Sequence, residues 1–360
     1  MGQLSFEGFE LHNELVQHGY ALVDHHIPED AIDELIASYA DFTDKLPDPS
    51  LETIFGMIKN PDHLDDLNYF KDKAPNWHKY RTNHPFIFKP GGYTNRSLQT
   101  RALQQIGGLE VEDDPKEYYH FLPSGLAAIN RRHAEFGWGP LPREVTQLHT
   151  HFMLVHSLGA EAVTRVFRSM EEQHPELLSK YITPRDLDNS PVRLLFYHPG
   201  QGDILAGGHF DKSYGTIQIA ESHMGLRLRQ PQPNPNDMSN DQRRTEIKCQ
   251  YSASPIDDPA MIPMQRDSNT GIFFPSQLLE LDHVHPGSDV KAVWHDVLNM
   301  PELNPGRVLR GRNCARWAII FFANSMIAGE IDKALTHAGA DLLSAAATAQ
   351  LNRPSNEHVA

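Results

Sequence analysis

Two textures divide the chain. Up to about residue 190 the apolar positions recur mainly at three- and four-residue intervals, the spacing of half-buried helices; beyond it they fall into short runs cut by Gly, Pro and Asp, as strands do. In the first part, FELHNELVQHG at 9–19 predicts a helix, YALVDHHI at 20–27 a strand bounded by Gly19 and Pro28, and PEDAIDELIASYADFTDKL at 28–46 a second helix. Glu29 and Asp30 lie in the first turn of that helix, where the macrodipole favours acids. Residues 46–98 are broken by Pro and Gly and read mostly as loop, and 99–107 and 123–136 read as short helices. A long helix is expected within 142–180, with Val145, Leu148, Phe152, Val155, Leu158 and Val163 on one face. In the second part VRLLFYH, GTIQIAES, GLRLR, IKCQYSA, TGIFFP, DVKAVWHDV and NCARWAIIFFAN all read as strands, a series that points to a sandwich or jelly roll. The polar stretch QPQPNPNDMSNDQRRTE at 230–246 reads as a mobile loop, and a helix is expected after 326.

Composition narrows the function classes. With Lys+Arg 32 against Asp+Glu 47 the formal charge is −15, so no basic face is available for phosphate neutralisation and nucleic acid is not an expected partner. A hydrophobic share of 39% with 22% charged residues suits a globular chain with a large core. No apolar run approaches a membrane span, and MGQLSFEGFELHNEL lacks the basic and apolar regions of a secretory leader. Cys249 and Cys314 are too few for a disulfide framework, which suits a reducing cytoplasm. Histidine, at 21 residues, raises the expectation of a metal.

A mononuclear iron centre that activates dioxygen needs two imidazoles and one carboxylate on one face of the ion, with the opposite face open. On a strand, His-x-Asp or His-x-Glu supplies two of these, because residues i and i+2 point the same way. Five such pairs occur: His12/Glu14, His63/Asp65, His133/Glu135, His174/Glu176 and His209/Asp211. Four lie in helical or loop-like text. Only GGHFDKSYGTIQI joins the pair to a strand pattern, and its two glycines permit close backbone approach. The third ligand is then a His in a later strand, which VKAVWHDV supplies at His295; His283 and His285 compete from the turn before it. In CARWAIIFF, Arg316 shares a strand face with Ala318, Ile320 and Phe322, where a guanidinium must meet an anion. That anion is either a bound dicarboxylate or an internal acid. Tyr197, ahead of the pair, could add a phenol hydrogen bond to the same carboxylate or simply belong to the core.

With these residues in place, the chain resembles the isopenicillin N synthase-like branch of the non-haem Fe(II), 2-oxoglutarate-dependent dioxygenases. The order RLLFYHP, GGHFDKSYGTIQI, GIFFPSQLLEL, GSDVKAVWHDV, ARWAIIFF is similar to that family's core block, and LVQHGYALVDHHIP and DDPKEYYHFLP are similar to its earlier segments. The resemblance implies an α+β fold with a double-stranded β-helix (jelly-roll) core at 191–325, a mainly helical region at 1–190 and a C-terminal helix and tail at 326–360. It implies that His209, Asp211 and His295 hold Fe(II), that Arg316 binds the distal carboxylate of 2-oxoglutarate as cosubstrate, and that Tyr197 assists. The chain departs from the family pattern in Phe210 for Thr, in Ala318 for Ser, in a longer 230–270 stretch and in an insertion before Arg316 that carries Arg307, Arg310 and Arg312.

The implied activity is oxidation, by default hydroxylation, of a small organic substrate with dioxygen, releasing succinate and carbon dioxide. Three alternatives stay open: an iron oxidase of the same fold that needs no 2-oxo acid, a zinc hydrolase, and a non-catalytic binding protein. Substrate identity and oligomeric state are not legible.

Overall fold

A computed structural model describes residues 4–44, 92–95, 116–123, 143–171, 187, 190–198, 202–230, 239–251, 257–264, 267–280, 289–299 and 316–323. The chain opens with α1 (Leu4–His18), β1 (Ala21–Asp24) and α2 (Glu29–Asp44). Gly19 ends α1 with φ 78°, a left-handed conformation that costs a glycine little, and its N–H donates back to the Leu15 carbonyl at 3.0 Å. Then come β2 (Gly92–Asn95), β3 (Lys116–Phe121) and α3 (Arg143–Glu171). The remaining elements are β4 (Val192–Tyr197), β5 (Ile204–His209), β6 (Gly215–Glu221), β7 (Leu226–Arg229), α4 (Asn240–Tyr251), β8 (Met261–Pro263), β9 (Thr270–Pro275), a 3-10 turn (Gln277–Glu280), β10 (His295–Leu298) and β11 (Arg316–Ala323).

These strands form two antiparallel sheets among the described residues. The larger has the order β1-β9-β6-β11-β4-β3-β2 and the smaller β5-β10-β7-β8. From β4 onward successive strands pass between the sheets, except that β7 and β8 pair within the smaller one, so residues distant in sequence become neighbours: β4 pairs with β11, and β5 with β10. Strands β1 and β3 extend the larger sheet on its two sides, through β9 and β4 respectively, and β2 pairs with β3 at the edge.

Each face of the larger sheet has its own core. On the outer face Ile217, Ile219, Ile319 and Phe321 pack against α2 and α3, with Leu35, Tyr39, Phe152, Val155 and Val163. On the inner face Leu195, Tyr197, Ile272 and Phe274 meet Leu205, Leu226, Leu228, Val293 and Val297 of the smaller sheet and its approaches. The long helix keeps the expected face buried, except that Leu158 is only partly covered. Gly159 lets the helix lie close, since a Cβ there would sit 3.1 Å from Ile219 and 3.2 Å from Phe321.

Three expectations are corrected. Residues 247–251 of IKCQYSA, read as strand, continue helix α4, which begins at Asn240 inside the stretch read as loop. Tertiary contacts hold it: Arg243 and Arg244 both engage buried Glu280, Asn240 Nδ2 donates to the Glu280 carbonyl at 2.9 Å, and Ile247 packs against Phe210, Met261, Ala292 and Trp294. In DVKAVWHDV only the segment from His295 pairs as strand, because residues 289–294 instead tie into Glu280 and Pro275 through the Ala292 and Val293 amides. Finally, Gly92–Asn95 lies in text read as loop but pairs with β3. The segment 99–107 and all but the first residue of 123–136, read as helices, and 326–360, read as a helix and tail, lie outside the described residues. Among the described residues no helix is long and apolar enough to cross a membrane.

Buried histidine under α3 gives the fold an acid-sensitive point. His149 packs against Tyr119 and Phe121, its Nε2 bonded to the Tyr119 hydroxyl and its Nδ1 without a partner among the described residues. Burial lowers its pKa to about 4 from an ordinary 6.5. A folded-state pKa below the unfolded one means that the unfolded chain binds the extra proton. The associated stability is therefore complete above pH 6.5 and drains as pH falls towards 4, by about 3 kcal/mol. Urea unfolding of wild type and His149→Phe at pH 7 and pH 4.5 should show a much smaller loss in the variant. An equal loss in both would place the acid sensitivity elsewhere.

Candidate metal centre

Three predicted ligands converge where the smaller sheet ends. His209 is the last residue of β5 and His295 the first of β10, and the two are direct register partners. Their ring centroids lie 4.3 Å apart. Asp211 follows two residues after His209, beyond the strand rather than within it. Its Oδ1 is 3.6 Å from His209 Nε2 and its Oδ2 3.7 Å from His295 Nε2. Candidate ligand atoms of all three residues lie within 4.8 Å of one another, and they form the only such His/Cys/Asp/Glu group among the described residues. Two metal–ligand bonds of about 2.1 Å can bridge at most ~4.2 Å, so both His–Asp separations already fit a single ion.

Backbone carbonyls fix which nitrogen of each histidine would face an ion. His209 Nδ1 is 2.8 Å from the Gly207 carbonyl and His295 Nδ1 is 3.2 Å from that of Val293. A carbonyl only accepts, so each Nδ1 carries the proton and each Nε2 keeps a lone pair that a metal could use. Burial, and then the neighbouring His209, lower the His295 pKa to about 4, so this ring is neutral and ready to ligate at neutral pH. Burial alone would raise the Asp211 carboxyl. His295, His209, the Thr216 hydroxyl and the Arg193 guanidinium outweigh it and hold the group below its ordinary value, as a carboxylate. The His209 side chain is 47% exposed and that of His295 only 6%, so the centre opens on the His209 side.

Surrounding packing holds this geometry. The Thr216 hydroxyl donates to Asp211 Oδ2 at 2.6 Å, and the Gln277 amide donates to the Asp211 carbonyl at 3.0 Å. A Cβ on Gly208 would fall 2.5 Å from the Trp294 ring, so only glycine lets that indole cover the strand beside both histidines; at Gly207 nothing lies within 4 Å. Of the two glycines read as allowing close approach, one is used that way. On the opposite face of β10, Asp296 takes two hydrogen bonds from its register partner Arg227, at 2.9 and 2.6 Å, with both side chains buried. This pairing turns Asp296 away from the sheet interior, and His295 therefore inward. Phe274 closes the inner side, 4.7 Å from His295 between ring centroids. Replacing Thr216 by Val should weaken iron about 10- to 100-fold, the usual effect of losing a group that orients a ligand. Chelator competition measures it, and an unchanged affinity would show that Asp211 needs no such support.

Arg316 and Tyr197 are brought together as cross-strand partners, with the guanidinium 5.7 Å from the phenol ring centroid. Arg316 is buried. Its Nη2 contacts Glu221 and lies 3.3 Å from Gln218 Oε1, and its Nε donates to the His223 carbonyl at 3.0 Å. An internal acid therefore does compensate this arginine. Nη1 nevertheless remains buried without a partner among the described residues, as does the Gln218 amide nitrogen. Two orphaned donors on one inner face fit a small anionic ligand. Sequence reading missed Thr216, Gln218, Glu221 and Arg193. Strand alternation carried a signal for Thr216 and Gln218 in β6 and for Arg193 and Tyr197 in β4.

No family model matches the chain, and no curated protein does. Solved structures similar to it include a full-length Neurospora crassa protein in complex with alpha-KG, at 15% identity over 89% of this chain and 78% of that one, TM-score 0.49. A putative 2OG-Fe(II) oxygenase family protein from Caulobacter crescentus is similar at 16% identity over 90% and 83%, TM-score 0.49. The Arabidopsis thaliana dioxygenase for auxin oxidation 1, in its 2-oxoglutarate complex, is similar at 11% identity over 90% of each chain, TM-score 0.47.

Proposed function

We propose that the protein is an Fe(II)- and 2-oxoglutarate-dependent oxygenase that hydroxylates a small organic substrate, with His209, Asp211 and His295 as the iron ligands. The observation that carries this reading is the convergence of those side chains with both Nδ1 atoms bound to carbonyls. Two neutral imidazoles and one carboxylate suit a ferrous ion and leave its remaining positions to substrates. The strand order supports a jelly-roll core, since β4–β11 divide into β9-β6-β11-β4 facing β5-β10-β7-β8.

The iron, when bound, would supply oxygen activation coupled to decarboxylation of 2-oxoglutarate into succinate and carbon dioxide. The chain's own residues do the rest. Asp211 stays charged beside the dication, and Thr216 orients it. Arg316, through Nη1, binds the distal carboxylate of 2-oxoglutarate, with Tyr197 stacked beside it. Phe274, Val293, Val297 and Leu205 line the inner side with apolar surface that excludes water. Glu221 balances the arginine while the cosubstrate is away.

Anaerobic addition of Fe(II) and then 2-oxoglutarate tests this directly. A visible charge-transfer band that needs both components is expected. Iron binding without the band would leave an iron protein that does not chelate the 2-oxo acid, and preferential zinc binding would point to hydrolysis.

A further inference from the structure

One short segment, 275–280, grips both halves of the metal centre. Towards Asp211, the Gln277 amide donates to the Asp211 carbonyl at 3.0 Å, the Leu278 amide to that of Ser213 at 3.0 Å, and Gln277 Nε2 to that of Phe210 at 3.3 Å. Towards His295, the Pro275 carbonyl accepts from the Val293 amide at 3.1 Å and Glu280 Oε1 from the Ala292 amide at 2.8 Å. Val293 in turn offers the carbonyl that meets His295 Nδ1. Glu280 is buried, and helix α4 engages both of its oxygens, Arg243 at Oε1 and Arg244 at Oε2. Arg243 Nη2 also lies 3.4 Å from the Ala292 carbonyl. At the start of α4, Asn240 donates to the Glu280 carbonyl and accepts from Lys291 Nζ at 3.3 Å. Farther along, Ile247 packs on the cluster of Phe210 and Trp294, each next in sequence to a ligand histidine.

We infer that Glu280 is a positioning residue of the metal centre and α4 its clamp, so that docking of α4 and binding of the metal are thermodynamically coupled. The inference rests on the proposed metal-centre reading. Glu280 touches no ligand. It acts through Ala292 and Val293 on the carbonyl that orients His295, while the turn it closes fixes the backbone of Asp211. Covering a sheet with a helix does not call for a buried acid, since apolar side chains of like volume do so without desolvating a charge. Here one carboxylate oxygen meets both an arginine of α4 and the amide of Ala292, so a displacement of the helix is passed to the segment that carries His295. The helix itself is mostly polar and depends on this clamp and on Ile247 to stay in place. By linkage, whatever factor α4 docking adds to metal affinity, the metal adds to α4 docking.

The test uses the full chain and Mn(II), titrated by its electron spin resonance signal, together with hydrogen exchange of the α4 amides and urea unfolding. Wild type is titrated first; if it binds no Mn(II), the metal centre itself falls, and this role with it. Glu280→Gln should weaken Mn(II) about 10- to 100-fold. The triple variant Arg243→Gln/Arg244→Gln/Glu280→Gln leaves no buried charge of this cluster unpaired and should regain most of the stability, yet its Mn(II) affinity should stay at least about tenfold below wild type. Saturating Mn(II) should slow exchange of the α4 amides in wild type by a similar factor and change it less than twofold in the triple variant. Val155→Ala, a truncation in the outer core, should lose stability and keep its Mn(II) affinity within twofold. A purely structural Glu280 would move the unfolding midpoint alone. Wild-type affinity in the triple variant, α4 exchange in wild type that ignores Mn(II), or equal weakening of Mn(II) in Val155→Ala would each overturn the assignment.

Discussion

Asp211→Ala should give a folded protein that neither retains iron nor turns over. Asp211 is the sole carboxylate in the group and lies against both histidines, through a different oxygen for each. Without it two neutral imidazoles remain, one of them half exposed, and neither offsets the charge of a dication. Loss of the metal removes several kcal/mol of transition-state stabilisation, so turnover should fall roughly a thousandfold or more. Asp211 lies outside the strand and Thr216 keeps other hydroxyl partners in Ser213 and Ser276, so the circular dichroism spectrum should be unchanged. Succinate formation and bound iron are the readouts. Wild-type iron content in the variant would dismiss the centre.

Arg316→Gln should have two separable consequences. It removes the donor proposed for the distal carboxylate, and a charged hydrogen bond of about 2–3 kcal/mol corresponds to a rise in the 2-oxoglutarate Kd of about 30- to 150-fold. It also leaves Glu221 buried without its cation, which costs stability by about 3–5 kcal/mol. The double variant Arg316→Gln/Glu221→Gln tells these apart, because a neutral pair restores most of the stability but not the anion site. Chemical unfolding and a 2-oxoglutarate titration of iron-loaded protein are the measurements. Full cosubstrate affinity in the double variant would make Arg316 a structural partner of Glu221 and nothing more.

Much of the centre was legible because strand chemistry is local. Alternation within GTIQIAES and RWAIIFF marks two strands with opposite faces, and a His-x-Asp pair next to such a strand stands out from four others in unsuitable text. Where local pattern misled, a distant partner had decided. Residues 240–251 are polar and carry little helical patterning, yet two arginines reaching Glu280 and one isoleucine reaching Trp294 make them a helix. Gly92–Asn95 has no strand pattern of note, but the edge of β3 gives its backbone a place to pair.

What the order of residues determined by itself was the inventory: an apolar stripe for α3, strands of the correct phase, and two imidazoles and a carboxylate in text that could hold them. Tertiary structure decided the neighbours. Only the pairing of β5 with β10 makes His209 and His295 adjacent, only the pairing of β4 with β11 sets Tyr197 against Arg316, and only the pairing of β6 with β11 brings Glu221 to Arg316. The reason is physical. Side-chain direction follows from the backbone period of a few consecutive residues, whereas register between remote strands is set by the sum of many burials and hydrogen bonds that no short segment contains.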